Sequence, residues 1–195
     1  MKRDEALAIV HEHTQSEALR RHMYAVEAAM RACARRYGED EETWGIVGLL
    51  HDFDYERFPN DSHSPTEEHP SWGVRLLRER GLEEPLCRAI LGHASYTGAP
   101  RDTPVARALY AVDELCGFLV VCALVRPSRS LCDLEVSSVK NKLFHPKNRR
   151  RFAAGVNREE VTQGAAELGV PLDEHIAFVI DALRPVEATL GLGGG

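Results

Sequence analysis

Predicted helices of this sequence direct histidine and aspartate side chains towards the protein interior. His22 comes three residues after Leu19 and four before Val26, so it shares the apolar face of its helix. The same test places three further residues of this kind on apolar faces: His51, His93 and Asp113. Imidazole nitrogens and carboxylate oxygens are ligands that divalent transition metals accept in proteins. Four helices that each contribute such a group lead to the hypothesis of a shared metal site.

The two aspartates are the strongest indication of this chemistry. Asp113 shares a face with Leu109 and Val112, and a carboxylate among apolar side chains costs free energy unless a hydrogen bond, a cation or a metal compensates it. Asp52 directly follows His51 at the end of a segment that is apolar almost all round. A shared metal is the simplest compensation for all of these groups. Two alternatives stay open, namely core histidines with ordinary hydrogen bonds and an arginine paired with Asp113.

Most of the remaining histidines lack such a setting. Four of them fall outside apolar faces and are predicted to lie at the surface or in loops: His11, His13, His63 and His145. His175 shares the face of Ile176 and Val179, and we assign it to packing or hydrogen bonding.

The elements that must position these residues are predicted to be helices. Ser16 is a typical N-cap and Gly38 a typical C-cap for a helix between them. Helical periodicity and punctuation predict further helices over about residues 41–53, 70–80, 83–94, 103–125, 136–144, 158–168 and 171–190. A first helix follows Asp4, and the polar stretch 58–68 is predicted to be a loop. No convincing β alternation is found, so the predicted fold is a single all-α domain over about residues 1–190, with a disordered tail over 191–195.

Composition limits the classes of protein to which the chain can belong. Its 195 residues, 44% hydrophobic and 28% charged, are typical of a globular protein of this size. The formal charge of −6 does not favour a nucleic-acid partner. No apolar run approaches the roughly 20 residues that span a bilayer, and the charged N-terminus is not typical of a signal peptide. The five cysteines include no Cys-x-x-Cys and are odd in number, so we expect reduced thiols in a cytoplasmic protein.

The ordered set of these residues resembles the HD superfamily of metal-dependent phosphohydrolases. The family pattern is a histidine, a His-Asp pair and a distant aspartate, matched here in LRRHMYAVE, VGLLHDFDYE and LYAVDEL by His22, His51-Asp52 and Asp113. The segments EHPSWGVRLL and CRAILGHAS are similar to the extra histidine positions of members with two metals, and they would contribute His69 and His93. The likeness covers about residues 16–125, which implies a metal-binding core there and additional C-terminal helices over about 135–190. The whole chain also resembles a bacterial group of predicted HD hydrolases.

This resemblance implies a phosphohydrolase that acts on a small phosphorylated metabolite or nucleotide through water activated by one or two divalent ions. Suitable ions are Mn, Fe, Mg, Zn, Co or Ni, with Asp52 bridging two of them. Asp54 is a candidate for orienting or deprotonating the water. Three cations are candidates for binding the substrate: Arg126, Lys140 and Lys142. A solvated basic face is the alternative for these cations.

The sequence also departs from several patterns within the superfamily. Ala94 follows His93, where many two-metal members have a second histidine, and Tyr55 stands where nucleotidase-type members have a glutamate. No Gly-Tyr-Pro signature of the cyclic dinucleotide phosphodiesterases is present. Two further functions therefore stay open, a di-iron oxygenase built on the same six ligands and a non-catalytic sensor of a metal or nucleotide.

Overall fold

The computed structural model describes residues 1–149 and 152–193, and every regular element in this part of the chain is a helix. The prediction of an all-α fold is therefore confirmed. The chain divides into two compact units, residues 1–110 and the residues from 111 onwards. Their boundary falls inside one continuous helix. The expected single domain over 1–190 is not tested by this division and stays a prediction.

Helices follow one another with short connections, apart from one long irregular segment. The first unit contains α1 (Arg3–His13), α2 (Glu17–Tyr37), α3 (Glu41–Leu50), α4 (Ser71–Glu79) and α5 (Glu84–His93), then a 3-10 turn at Ser95–Thr97. The helix α6 (Pro104–Leu124) begins in the first unit and continues into the second. The second unit adds α7 (Val136–Phe144), α8 (Pro146–Arg149), α9 (Arg158–Glu167), α10 (Leu172–Leu183) and a 3-10 turn at Arg184–Val186.

The pair α2 and α3 is the packing centre of the first unit. The Ser16 side chain caps α2 by accepting a hydrogen bond from the backbone NH of Leu19, and Gly38 ends the helix with φ of 71°. Gly48 allows α3 to approach α2 closely, since a Cβ on it would lie 2.8 Å from the Val26 carbonyl oxygen. The buried face of α2 includes Met23 and Val26. This close contact sets the orientation of the C-terminal end of α3 relative to α2.

The segment between α3 and α4 differs from its prediction. Helix α3 ends at Leu50 and not at Phe53, because the chain then turns to contact the corner between α1 and α2. The Thr14 hydroxyl donates to the Phe53 carbonyl at 2.8 Å. The Glu56 carboxylate accepts from the backbone NH of Ser16 at 2.9 Å. These long-range contacts replace the continued helix.

One predicted surface histidine is buried. His13 is 7% exposed, and its ring meets the rings of Phe53 and Trp72 edge-on at centroid distances of 5.3 and 5.4 Å. Burial and the nearby Arg57 lower the pKa of His13, although Glu12 acts in the opposite direction. The surface prediction was wrong because the aromatic residues that cover His13 come from the segment after α3 and from α4.

In the second unit α10 packs against both α7 and α9. The His175 side chain donates to the Ala111 carbonyl at 2.8 Å, which confirms its assignment to hydrogen bonding. Helix α10 ends at Leu183, earlier than predicted. Within the predicted disordered tail, Leu192 is 4% exposed and the Gly193 NH donates to the Arg129 carbonyl at 2.8 Å, so these residues differ from that prediction. Residues 194 and 195 lie outside the described part of the chain.

All five cysteines are present as thiols, four of them buried and Cys132 exposed. In residues 1–149 and 152–193, none of the helices combines the length and the apolar character that a membrane span requires.

Replacement of Gly48 by alanine is expected to lower the free energy of unfolding by about 1–3 kcal/mol, because the added methyl group meets the α2 backbone. Chemical denaturation measures this change. Gly155→Ala is the matched control, since a Cβ there has nothing within 4 Å and should change stability by less than about 0.5 kcal/mol. Equal stability of the two variants would contradict the close approach of α2 and α3.

Candidate metal centre

Asp52 lies among four histidine rings. Its Oδ2 atom is 3.6 Å from His22 Nε2 and 3.4 Å from His51 Nε2. Its Oδ1 atom is 3.4 Å from His69 Nε2 and 3.5 Å from His93 Nε2. The two carboxylate oxygens therefore face different pairs of imidazoles. This division of the side chains into two sets is the defining feature of the centre.

Helix ends bring these side chains together. His22 lies in the second turn of α2, His51 directly follows α3, and His93 is the last residue of α5. His69 lies in the irregular segment just before α4. Because α3 packs against both α2 and α5, the ring of His51 lies close to those of His22 and His93. The sequence predicted that these four histidines meet Asp52, and the structure does bring the five residues together.

The Nδ1 atoms of three rings are held by acceptors outside the centre. His51 Nδ1 donates to the Gly48 carbonyl at 2.7 Å, and His93 Nδ1 donates to the Ile90 carbonyl. His69 Nδ1 donates to Asp54 Oδ1 at 2.7 Å. Because these acceptors fix a proton on Nδ1, each ring in its neutral form presents the lone pair of its Nε2 atom to the centre. Metal-binding histidines are oriented in this way.

The electrostatics favour an ionised Asp52. Burial raises the pKa of this carboxyl, but the positive charge that His51 and His69 carry when protonated, together with the hydrogen bonds that His51 and His93 then donate, outweighs burial and holds its pKa well below the usual value. When the rings are neutral, a cation between the carboxylate and the Nε2 lone pairs would act in the same direction. His22 Nε2 and His51 Nε2 are only 3.2 Å apart, a distance at which two lone pairs repel each other unless a proton or a cation lies between them.

Asp54 holds His69 and does not face the centre. Its side chain is 1% exposed, and its second oxygen, Oδ2, accepts from the backbone NH of Gly73 at 2.7 Å. This NH belongs to the first turn of α4, where the helix dipole favours negative charge. A Cβ on Gly73 would lie 2.7 Å from the same oxygen, so only glycine fits there. With both oxygens engaged, Asp54 is placed to orient His69, and the predicted role in deprotonating water does not fit this geometry.

The residues present fit a divalent cation. The donor atoms are imidazole nitrogens and carboxylate oxygens with no thiolate, a set that suits transition metals such as Mn or Fe. Asp52, His69 and His93 each offer one such atom within 4.8 Å of the others. His22 and His51 face the other oxygen of Asp52. Asp113 lies half-buried on α6 in the second unit, and its role as a ligand stays a prediction.

The three predicted substrate-binding cations have partners within the second unit. Arg126 donates to both oxygens of Asp133, at 3.1 and 2.8 Å. Lys140 Nζ lies 2.7 Å from Asp173 Oδ1. Lys142 Nζ donates to the Ser138 hydroxyl at 2.9 Å. None of these contacts indicates a phosphate site, and the substrate role of the three cations is not supported by them.

Two residues that sequence reasoning missed hold the backbone of His69. The His69 carbonyl accepts from Asn60 Nδ2 at 2.7 Å and from the Tyr96 hydroxyl at 2.9 Å. Burial raises the pKa of Tyr96 to about 12, so the hydroxyl keeps its proton at neutral pH. Asn60 was predicted only as part of a loop. Nothing in the sequence indicated that either residue contacts His69, because both contacts are tertiary.

Comparison with known proteins gave one match. A family model described as HD domain matches residues 19–117. That range contains all six of the predicted metal ligands: His22, His51, Asp52, His69, His93 and Asp113. Neither the curated proteins nor the solved structures yielded a match.

Asp54→Asn is expected to weaken the binding of Mn²⁺ by about 10- to 100-fold, the usual effect of losing the partner that orients a histidine ligand. The neutral amide is a weaker acceptor for His69 Nδ1, and its NH₂ group opposes one of the two donors. Isothermal titration calorimetry measures the affinity. Asp61→Asn, at an exposed loop position, makes the same change of charge and should bind Mn²⁺ like the wild type. Equal affinities in the two variants would contradict the orienting role.

Proposed function

The chain belongs to the HD domain family, and we propose that it is a metal-dependent phosphohydrolase acting on a small phosphorylated metabolite or nucleotide. The observation that carries this proposal is the placement of Asp52, with one oxygen towards His22 and His51 and the other towards His69 and His93. An anionic carboxylate that faces two separate imidazole pairs suits two cations better than one.

We assign the ligands in two sets that share Asp52. The first set comprises His22, His51 and Asp52, with Asp113 as a further proposed ligand. The second set comprises Asp52, His69 and His93. Mn or Fe suits this mixture of nitrogen and oxygen donors, and Mg, Zn, Co and Ni are the other ions that we consider.

A divalent ion bound here supplies Lewis acidity towards a phosphoryl oxygen and lowers the pKa of a water molecule to near 7. The chain's own part in the reaction is to keep the donor atoms in place. Three imidazoles keep their protons on Nδ1, on the side away from the centre. The acceptors are the Gly48 carbonyl for His51, the Ile90 carbonyl for His93 and Asp54 for His69. Asp52 supplies the negative charge, and we propose that it is the catalytic carboxylate. Asp54 is a positioning residue, because it holds His69.

A divalent ion held by the two ligand sets would itself bind the substrate phosphate. Arg126, Lys140 and Lys142 would each have to leave Asp133, Asp173 or Ser138 before contacting a substrate. Their participation is therefore not required here, and their replacement is expected to leave the basal hydrolysis of a minimal phosphate ester unchanged.

Replacement of Asp52 by alanine tests the function directly. We expect it to abolish tight Mn²⁺ binding and to lower Mn²⁺-dependent hydrolysis of p-nitrophenyl phosphate by at least about a hundredfold, since both ligand sets lose their shared anion. Asp61→Ala is the control, because this exposed loop aspartate lies outside both ligand sets. The assay uses chelator-treated protein reloaded with one metal at a time.

The outcomes separate the proposed hydrolase from its two alternatives. Wild-type protein that binds Mn²⁺ but turns over neither p-nitrophenyl phosphate nor a panel of nucleotides and sugar phosphates would contradict the hydrolase and favour a sensor. Protein that retains two irons per chain and consumes O₂ without hydrolysing phosphate esters would favour the oxygenase.

A further inference from the structure

The four histidines of the centre are held by backbones of different kinds. His22 and His93 belong to α2 and α5, and His51 follows α3 directly, so regular helical hydrogen bonds fix their main chains. His69 lies at the end of the irregular segment between α3 and α4. The position of its main chain therefore depends on hydrogen bonds from residues outside a regular helix.

Three hydrogen bonds hold the His69 main chain. Its NH donates to the Phe58 carbonyl at 3.0 Å. Its carbonyl oxygen accepts from Asn60 Nδ2 at 2.7 Å and from the Tyr96 hydroxyl at 2.9 Å. Two of these three hydrogen bonds are donated by side chains. Asn60 precedes His69 in the sequence and Tyr96 follows it. Asn60 is 6% exposed, so water does not readily replace its amide.

Both side chains are themselves fixed in place. The amide of Asn60 also donates to the Ser64 carbonyl, and its oxygen accepts from the Ser64 NH, each at 2.7 Å. The Tyr96 ring stacks on the ring of His63, with centroids 4.7 Å apart and planes 5° from parallel. Asn60 and Tyr96 therefore act from fixed positions on the same carbonyl oxygen of His69.

We propose that Asn60 and Tyr96 are positioning residues that set the affinity of the centre for the ion held by His69 and His93. The ion held by His22 and His51 depends instead on the close packing of α2 and α3 at Gly48. The site of His69 and His93 should bind its ion more weakly, because the main chain of His69 lacks the regular helical hydrogen bonds that hold the other three histidines. This weaker site is the one that should respond to Asn60 and Tyr96. This role presupposes the proposed two-ion centre, but it does not depend on the reaction that the centre performs.

The test uses the full chain, stripped of metal and titrated with Mn²⁺ by isothermal titration calorimetry. The variant Tyr96→Phe removes only the hydroxyl and keeps the ring that stacks on His63. We expect two binding steps in the wild type, and in Tyr96→Phe a weaker step reduced about tenfold while the tighter step is unchanged. Tyr37→Phe, at the exposed end of α2, is the matched control and should resemble the wild type.

A second variant and a second signal distinguish positioning from general stability. Asn60→Asp keeps the acceptor for the Ser64 NH but loses both donated hydrogen bonds, so the weaker step should fall further than in Tyr96→Phe. In a Co²⁺ titration, the visible absorption added by the second equivalent should change in Tyr96→Phe, while that of the first equivalent should not. Thermal unfolding of the metal-free variant should match that of Tyr37→Phe.

Three results would overturn the positioning role: an unchanged titration of Tyr96→Phe, equal weakening of both steps, or only one binding step in the wild type. The last result would also remove the proposed two-ion centre. Two steps in the wild type together with absent phosphatase activity would overturn the proposed function alone, because the titration measures metal binding without turnover.

Discussion

The burial of one ionised carboxylate is the constraint on which the first unit depends. Asp52 is only 15% exposed on its side chain, and an anion with so little access to water needs compensation. The fold places four imidazoles around it, two towards each oxygen, and a cation held between the carboxylate and their nitrogens would supply that compensation. Because each Nε2 atom must arrive from a different direction, the helices α2, α3 and α5 and the segment before α4 all have to meet at this residue.

Small residues make that meeting possible. Gly48 lets α3 approach the backbone of α2, and its carbonyl also accepts a hydrogen bond from His51 Nδ1. Gly73 leaves room for Asp54 against the first turn of α4, and Asp54 in turn orients His69. The same glycines therefore serve the packing of the helices and the orientation of the histidines. A change at either position would affect stability and metal binding together.

Periodicity along the chain predicted the helices and the inward direction of His22, His51 and His93, since both follow from local spacing. The resemblance to a family added His69, which has no helical face of its own. Local pattern could not predict that Asp54 turns away from the centre, because its partners Gly73 and His69 are 19 and 15 residues away. Local pattern also failed to predict the burial of His13 against Trp72. The hydrogen bonds from Asn60 and Tyr96 to the His69 carbonyl were missed for the same reason, because all of these contacts are tertiary.

The central claim is that Asp52 separates two metal sites, and anomalous diffraction from crystals of the Mn²⁺-loaded protein tests it most directly. We expect two anomalous peaks, one beside each oxygen of Asp52, with the first next to His22 and His51 and the second next to His69 and His93. A single peak, or peaks that Asp52 does not contact, would contradict it.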